Sequence, residues 1–183
     1  MIEVKVLSEA GIYPALYGIG LSYGITSFDT EDIFEFNHKL MGIANKLKDK
    51  EGGEDKFLRM LVVYMAIRAP MYWWKQYDTY KVGTVAQSES TMHTLLKWPI
   101  TQQCFSAPIP EEVRMHLEQM RILGKFDALV NELPMGWMQT RVVCLNYAVL
   151  QNIILRRKKH KLQEWRDFCE LIYKHVRYPE LLP

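Results

Sequence analysis

The chain has 183 residues, about the length of one domain, and a domain of that size removes roughly 70% of its unfolded surface from water on folding. Hydrophobic residues make up 49% and charged residues 24%, which excludes a disordered chain. A formal net charge of only +2 excludes a strong overall field toward nucleic acid or an anionic membrane, so any anion site must be local.

Ile2 to Leu7 alternates apolar and polar residues, which predicts a short strand with Ile2, Val4 and Val6 on one side. The start of the chain carries charges and no long apolar run, so neither a secretory signal nor a membrane span is expected, and residence is expected to be cytoplasmic. Ala15 to Tyr23 is apolar and broken by glycine. Gly18, Gly20 and Gly24 have the wrong last spacing for a dinucleotide fingerprint, so a Rossmann unit is rejected.

Asp29 or Thr30 can cap a helix whose apolar residues Ile33, Phe36, Leu40, Ile43 and Leu47 recur at helical spacing up to Gly52-Gly53. Asp55 to Arg68, with Phe57, Leu58, Leu61, Val62 and Met65, is too apolar for a surface helix and predicts a buried one. Pro70 suits the first turn of a further helix reaching about Tyr77. From Asp78 to Ser90 the chain is polar, contains Gly83 and suits a ligand loop. Thr91 to Trp98 forms a short segment before Pro99.

Pro110 with Glu111 and Glu112 starts a helix carrying Val113, Leu117 and Met120, and Leu133-Pro134 ends a later helical segment. Thr140 to Leu145 reads as a strand or buried turn. Asn146 can cap a helix with Tyr147, Leu150, Ile154 and Arg157 on one face, and a last helix holds Leu162, Trp165, Cys169, Ile172 and Val176. No repeat appears, so the expected architecture is a single α+β domain over residues 1–183, helix-dominated with a small mixed or antiparallel sheet.

Cys104, Cys144 and Cys169 are far apart and lack zinc or redox spacing, so no metal site is expected. The run Arg156-Arg157-Lys158-Lys159-His160-Lys161 is the one dense basic cluster, and taken alone it reads as a solvated helix end.

The segment RAPMYWWKQYDTYKVGTVAQSESTMH is less generic. Pro70-Met71-Tyr72-Trp73-Trp74 is an apolar helix, followed by Lys75-Gln76-Tyr77 as basic residue, glutamine and aromatic. Further on come Leu133-Pro134, a helix-starting Asn146, Arg157, Gln163 and Glu164-Trp165-Arg166. In this order the two motifs resemble the flavin-dependent thymidylate synthases, the ThyX family, over roughly Asp55 to Tyr173, and most of all its shortened, divergent bacteriophage members. Phage origin would make the compartment the host cytoplasm.

The resemblance implies substrate-binding roles for Gln76, Ser88, Ser90, Arg157 and Arg166, and cofactor-binding roles for Tyr80, Lys81, His93 and Asn146. The types suit the chemistry: arginine grips two phosphate oxygens with a planar fork, and glutamine offers a donor and an acceptor to a pyrimidine edge or ribose hydroxyl. Ser88 and Ser90 would furnish an anion nest. No residue is assigned as catalytic, because in this family the flavin carries the hydride and no enzyme nucleophile is needed.

The sequence also departs from the family. Its Arg-His-Arg is replaced by Thr79-Tyr80-Lys81, its Asn-Glu by Gln87-Ser88 and its Arg-Tyr by Met92-His93, while Ala148 stands where an arginine follows the helix-starting Asn. Each lost arginine removes charge-assisted hydrogen bonds of about 1.5–3 kcal/mol.

Two functions follow as expectations. One is FAD- and methylenetetrahydrofolate-dependent methylation of dUMP or a related pyrimidine nucleotide. The other is a catalytically degenerate relative that sequesters or senses a nucleotide. The resemblance further implies a homotetramer with sites shared between subunits; the partners are a nucleotide and copies of the chain, with no nucleic acid and no membrane. Trp73 and Trp74 could stack on a flavin or base, or belong to the core.

Overall fold

The computed structural model describes residues 1–24, 33–50 and 52–183. Its centre is a four-stranded antiparallel sheet in the order β1-β2-β4-β3, built from β1 (Glu3–Ala10), β2 (Val62–Pro70), β3 (Thr84–Ser88) and β4 (Met138–Asn146). Around it lie α1 (Ile12–Ser22), α2 (Ile33–Leu47), α3 (Met71–Tyr77), α4 (Thr91–Thr94), α5 (Glu111–Ile122), α6 (Phe126–Glu132), α7 (Tyr147–Arg157) and α8 (Gln163–His175). This is the α+β class expected from the sequence.

The buried helix expected over Asp55 to Arg68 is not formed. Glu54–Arg59 is a 3-10 turn, and the chain then enters β2. Val63, Met65, Ile67 and Ala69 are buried with period two, as a strand requires. Val62, Tyr64 and Ala66 between them are also apolar, so the alternation is hidden in the sequence. β2 is a central strand, hydrogen-bonded to β1 on one side and β4 on the other.

The glycine-broken stretch before Tyr23 is helix α1, which buries Ala15, Leu16 and Ile19. Gly11 enters it at φ 98°, where an added Cβ would lie 2.0 Å from the Met60 carbonyl oxygen. In α2, Leu40 and Ala44 are buried and Ile43 and Leu47 pack against the core. The cap expected at Asp29 or Thr30 lies outside the described residues, as do the side chains of Ile33 and Phe36.

The polar stretch from Asp78 to Ser90 is not all loop. Its second half is β3, which pairs only with β4; as an edge strand with exposed residues it carries polar side chains. The other expectations for the C-terminal half hold: α5 follows Pro110, α6 stops before Leu133-Pro134, and Asn146 caps α7.

The main core joins the inner sheet face to α1, α3, α7 and α8, with Trp73, Trp74, Trp165 and Phe168 at its middle. A satellite cluster of Leu95, Ile100, Phe105, Leu117, Met120 and Leu129 fills the excursion between β3 and β4. No helix among the described residues is long and apolar enough to cross a membrane.

Candidate functional site

Helix α3 follows β2 without a loop. Pro70 is extended (φ −70°, ψ 154°) and lacks an N–H, so it ends the strand and opens the helix. Met71 and Tyr72 donate their backbone N–H groups to the carbonyls of Trp137 and Met135, at 2.9 and 3.1 Å, which fixes the helix start to the opposite excursion. Trp73, Trp74 and Tyr77 point into the core and are at most 2% exposed. The two tryptophans are therefore core residues with no face free to stack on a ligand.

Gln76 projects from the remaining side of α3. Its Oε1 accepts from Arg157 Nη1 at 3.1 Å and from Trp165 Nε1 at 2.8 Å. Both bonds use the carbonyl end, so its Nε2 is left as a donor with no protein partner among the described residues. Arg157 is the last residue of α7, and its Nε also donates to the Tyr80 hydroxyl at 2.8 Å. Its guanidinium lies 4.7 Å from the Trp165 ring centroid and 5.5 Å from that of Tyr80. Three segments thus meet at one cation: the end of α7, the first turn of α8 just after it, and, far from both in sequence, the Gln76–Tyr80 turn.

Local chemistry explains each placement. Thr79 Oγ1 donates to the Gln76 carbonyl at 2.7 Å, closing the turn after α3 and setting Tyr80 against the core. Asn146 Oδ1 accepts from Val149 N at 3.0 Å, which starts α7 in the register that brings Arg157 over Trp165. Gly83, at φ 75°, lets the following turn pass close to Asn146 and Val149; an added Cβ would sit 3.2 and 3.1 Å from their side chains.

Thr79, Tyr80, Asn152, Arg156 and Arg157 border an open cleft of about 520 Å³, within the range of small-molecule sites. Asn152 and Arg156 are one helical turn apart, and Arg156 Nε donates to Asn152 Oδ1 at 2.7 Å. Among the described residues no carboxylate forms an ion pair with Arg156, Arg157 or Arg166. The cleft wall is therefore positive and rich in hydrogen-bond donors, the chemistry that holds a phosphate. A cavity of about 630 Å³ beside α1 is larger, but its Lys50 and Glu54 are paired with each other at 3.4 Å, so it offers less uncompensated charge.

Of the residues implied for binding, Gln76, Tyr80 and Arg157 come together here. Arg166 lies close by on α8, but its guanidinium donates to the carbonyls of His160 and Lys161 and to the Gln163 side chain, bracing the α7–α8 turn. Asn146 spends its oxygen on the helix cap. Lys81 is exposed between Tyr80 and β3.

Ser88, Ser90 and His93 sit elsewhere. Ser88 is exposed at the far end of β3, opposite Arg141, and four extended residues from Thr84 amount to about 13 Å. Ser90 precedes α4, where its backbone carbonyl, not its hydroxyl, accepts from Thr94. His93 is exposed on α4.

Thr79, Asn152 and Arg156 were not singled out from the sequence as lining residues. The available signal was the pair Asn152 and Arg156, polar at i and i+4 on a helix whose other face is Leu150 and Ile154.

No family model and no curated protein matches the chain. Among solved structures it is similar to the flavin-dependent thymidylate synthase ThyX from Helicobacter pylori complexed with FAD and dUMP, at TM-score 0.76 and 15% identity over 98% of this chain and 97% of that one. A second structure of ThyX from Helicobacter pylori with FAD and dUMP gives 0.74 and 15% over 100% and 97%. The UMP/dUMP methylase PolB from Streptomyces cacaoi, bound with 5-Br dUMP, gives 0.66 and 12% over 98% and 93%. The chain has the ThyX fold over its whole length.

Proposed function

We propose that the chain binds a pyrimidine nucleotide in the cleft between α3 and α7 and methylates it, with FAD and methylenetetrahydrofolate, as dUMP or a related uracil nucleotide. One observation carries the reading: Gln76 and Arg157, far apart in sequence, are hydrogen-bonded beside a positive cleft. The fold is one whose solved examples hold dUMP or its 5-bromo analogue. In this reading Arg157 takes the phosphate, Arg166 supports it through the turn it braces, and Gln76 Nε2 donates to a base carbonyl or ribose oxygen.

The residues present suit the phosphate part of a flavin nucleotide as well, since Thr79, Asn152 and Arg156 all carry donors on the cleft wall. Tyr80, with Lys81, His93 and Asn146, is the proposed cofactor set. Because Trp73 and Trp74 are buried, Tyr80 is the aromatic of the cleft that remains for a flat ring. FAD, when bound, supplies the hydride; the protein's part is to hold and orient the base.

In this reading Ser88, Ser90 and His93 would reach the site from another copy, as the homotetramer implied by the resemblance would allow. The outer sheet face suits association, for it exposes Tyr64 and Val85 on either side of Cys144, and Val142 two positions along β4.

A second reading is a nucleotide-binding protein without flavin chemistry. The observation that favours it is Thr79-Tyr80-Lys81 at the Arg-His-Arg positions, where the Tyr80 phenol already occupies Arg157. Incubation with FAD separates the two. The enzyme reading expects oxidised-flavin absorbance to travel with the protein and 5-methyl product to form from dUMP; a colourless protein that still binds dUMP leaves the binding reading alone.

A further inference from the structure

Resting on the nucleotide reading above, we infer that the cleft continues along the α7–α8 turn into a subsite for a phosphate chain, so that the preferred ligand is a nucleoside di- or triphosphate. A single phosphate ester carries roughly −1.5 to −2 charge at neutral pH. Against that charge, the end of α7 and the turn after it carry Arg156, Arg157, Lys158, Lys159 and Lys161, five cations within six positions. The carboxylates nearest in sequence are turned to other work: Glu164 accepts from the Tyr72 hydroxyl and Asp167 from Gln163 Nε2 at 2.6 Å. Like charges left uncompensated repel one another and oppose folding. A polyanion removes that cost when it binds.

The turn is built rather than loose. His160 N donates to the Arg157 carbonyl at 2.9 Å, and Leu162 N donates to His160 Nδ1 at 3.1 Å. Arg166 closes it from α8 through the carbonyls of His160 and Lys161. The turn that carries Lys158, Lys159 and Lys161 is thereby held directly after Arg156 and Arg157, which line the cleft. His160 registers the resulting field: burial first, then Arg157, Lys161 and Arg166, holds its pKa below the usual histidine range. Its Nδ1 accepts from Leu162 N, which makes Nε2 the N–H of the neutral ring. Since the whole chain carries only +2, this strip is local, on the scale of one phosphate chain rather than a surface that tracks nucleic acid.

The test is calorimetric titration of the full chain with dUMP, dUDP and dUTP, without magnesium, on wild type and on the double variant Lys158→Gln/Lys159→Gln, with melting curves to confirm folding. Wild type is expected to bind dUTP about tenfold tighter than dUMP, the gain that a few exposed charge pairs supply together. The double variant is expected to lose most of that gain and keep its dUMP affinity. Equal affinity for dUMP and dUTP in wild type overturns the subsite and leaves the nucleotide reading standing. Tighter binding of a single-stranded oligothymidylate than of dUTP reassigns the strip to nucleic acid and also overturns it. No binding of any uracil nucleotide removes both readings.

Discussion

Arg157 Nη1 donates to Gln76 Oε1 at 3.1 Å across 81 positions of sequence, so the residue that ends α7 and the one that faces outward from α3 form one unit. The same oxygen accepts the Trp165 indole N–H, which ties that unit to the core. A nucleotide bound here, as proposed, would therefore be linked to local packing.

Arg157→Ala removes a residue that touches Gln76, Tyr80 and Trp165 at once. It is expected to weaken dUMP binding by about 1.5–3 kcal/mol, roughly ten- to a hundredfold, while α7 stays folded because alanine is the best helix former. Arg157→Lys is expected to recover little, since an ammonium lacks the planar fork. Titration calorimetry reads both; unchanged affinity in the alanine variant removes Arg157 from the site.

Gln76→Ala leaves the Trp165 N–H without its acceptor, which costs about 1–3 kcal/mol for a buried donor. It also deletes the free Nε2 donor, so discrimination between uracil and cytosine nucleotides should fall. Denaturant unfolding and competitive binding measure the two effects separately. Stability lost with selectivity intact would assign Gln76 to packing alone.

Asn146 carries a helix cap and an implied cofactor role that one substitution separates. Asn146→Asp keeps an N-cap acceptor for Val149, whereas Asn146→Ala is expected to cost about 1 kcal/mol in unfolding free energy. FAD affinity that falls in the aspartate variant at unchanged stability supports cofactor contact. Equal FAD affinity in the aspartate variant and wild type means that the cap is the whole role.

Cys169 is 3% exposed, and burial pushes its thiol up to about 11. A raised pKa means that the folded state holds the proton more tightly. Its contribution is complete below the unfolded value of about 8.5 and is lost as pH rises toward 11. At pH 8 a disulfide reagent should therefore modify Cys104 and Cys144, which are half-buried, well before Cys169, and denaturant should abolish the difference. Equal rates in the native protein would contradict this burial.

Much of the fold was legible because its signals are local. Pro70, Pro110, Leu133-Pro134 and Asn146 each mark an element boundary through φ restriction or a side-chain cap, and each boundary falls there. β2 was not legible, since apolar residues on both faces of a central strand erase the period-two pattern that Val63, Met65 and Ile67 display only once burial is known. Gln76 and Arg157 were recognisable by motif. Asn152, Arg156 and Thr79 were not, because an exposed polar residue on a helix or turn looks the same whether it faces solvent or a cleft, and only the packing of α7 beside the Gln76–Tyr80 turn tells them apart.

A crystal structure of the protein saturated with dUMP tests the central claim most directly. The account expects the phosphate within hydrogen-bonding distance of the Arg157 guanidinium and the uracil or ribose within reach of Gln76 Nε2. A nucleotide seated elsewhere, with Arg157 still engaged only by Gln76, Tyr80 and the Trp165 ring, would contradict it.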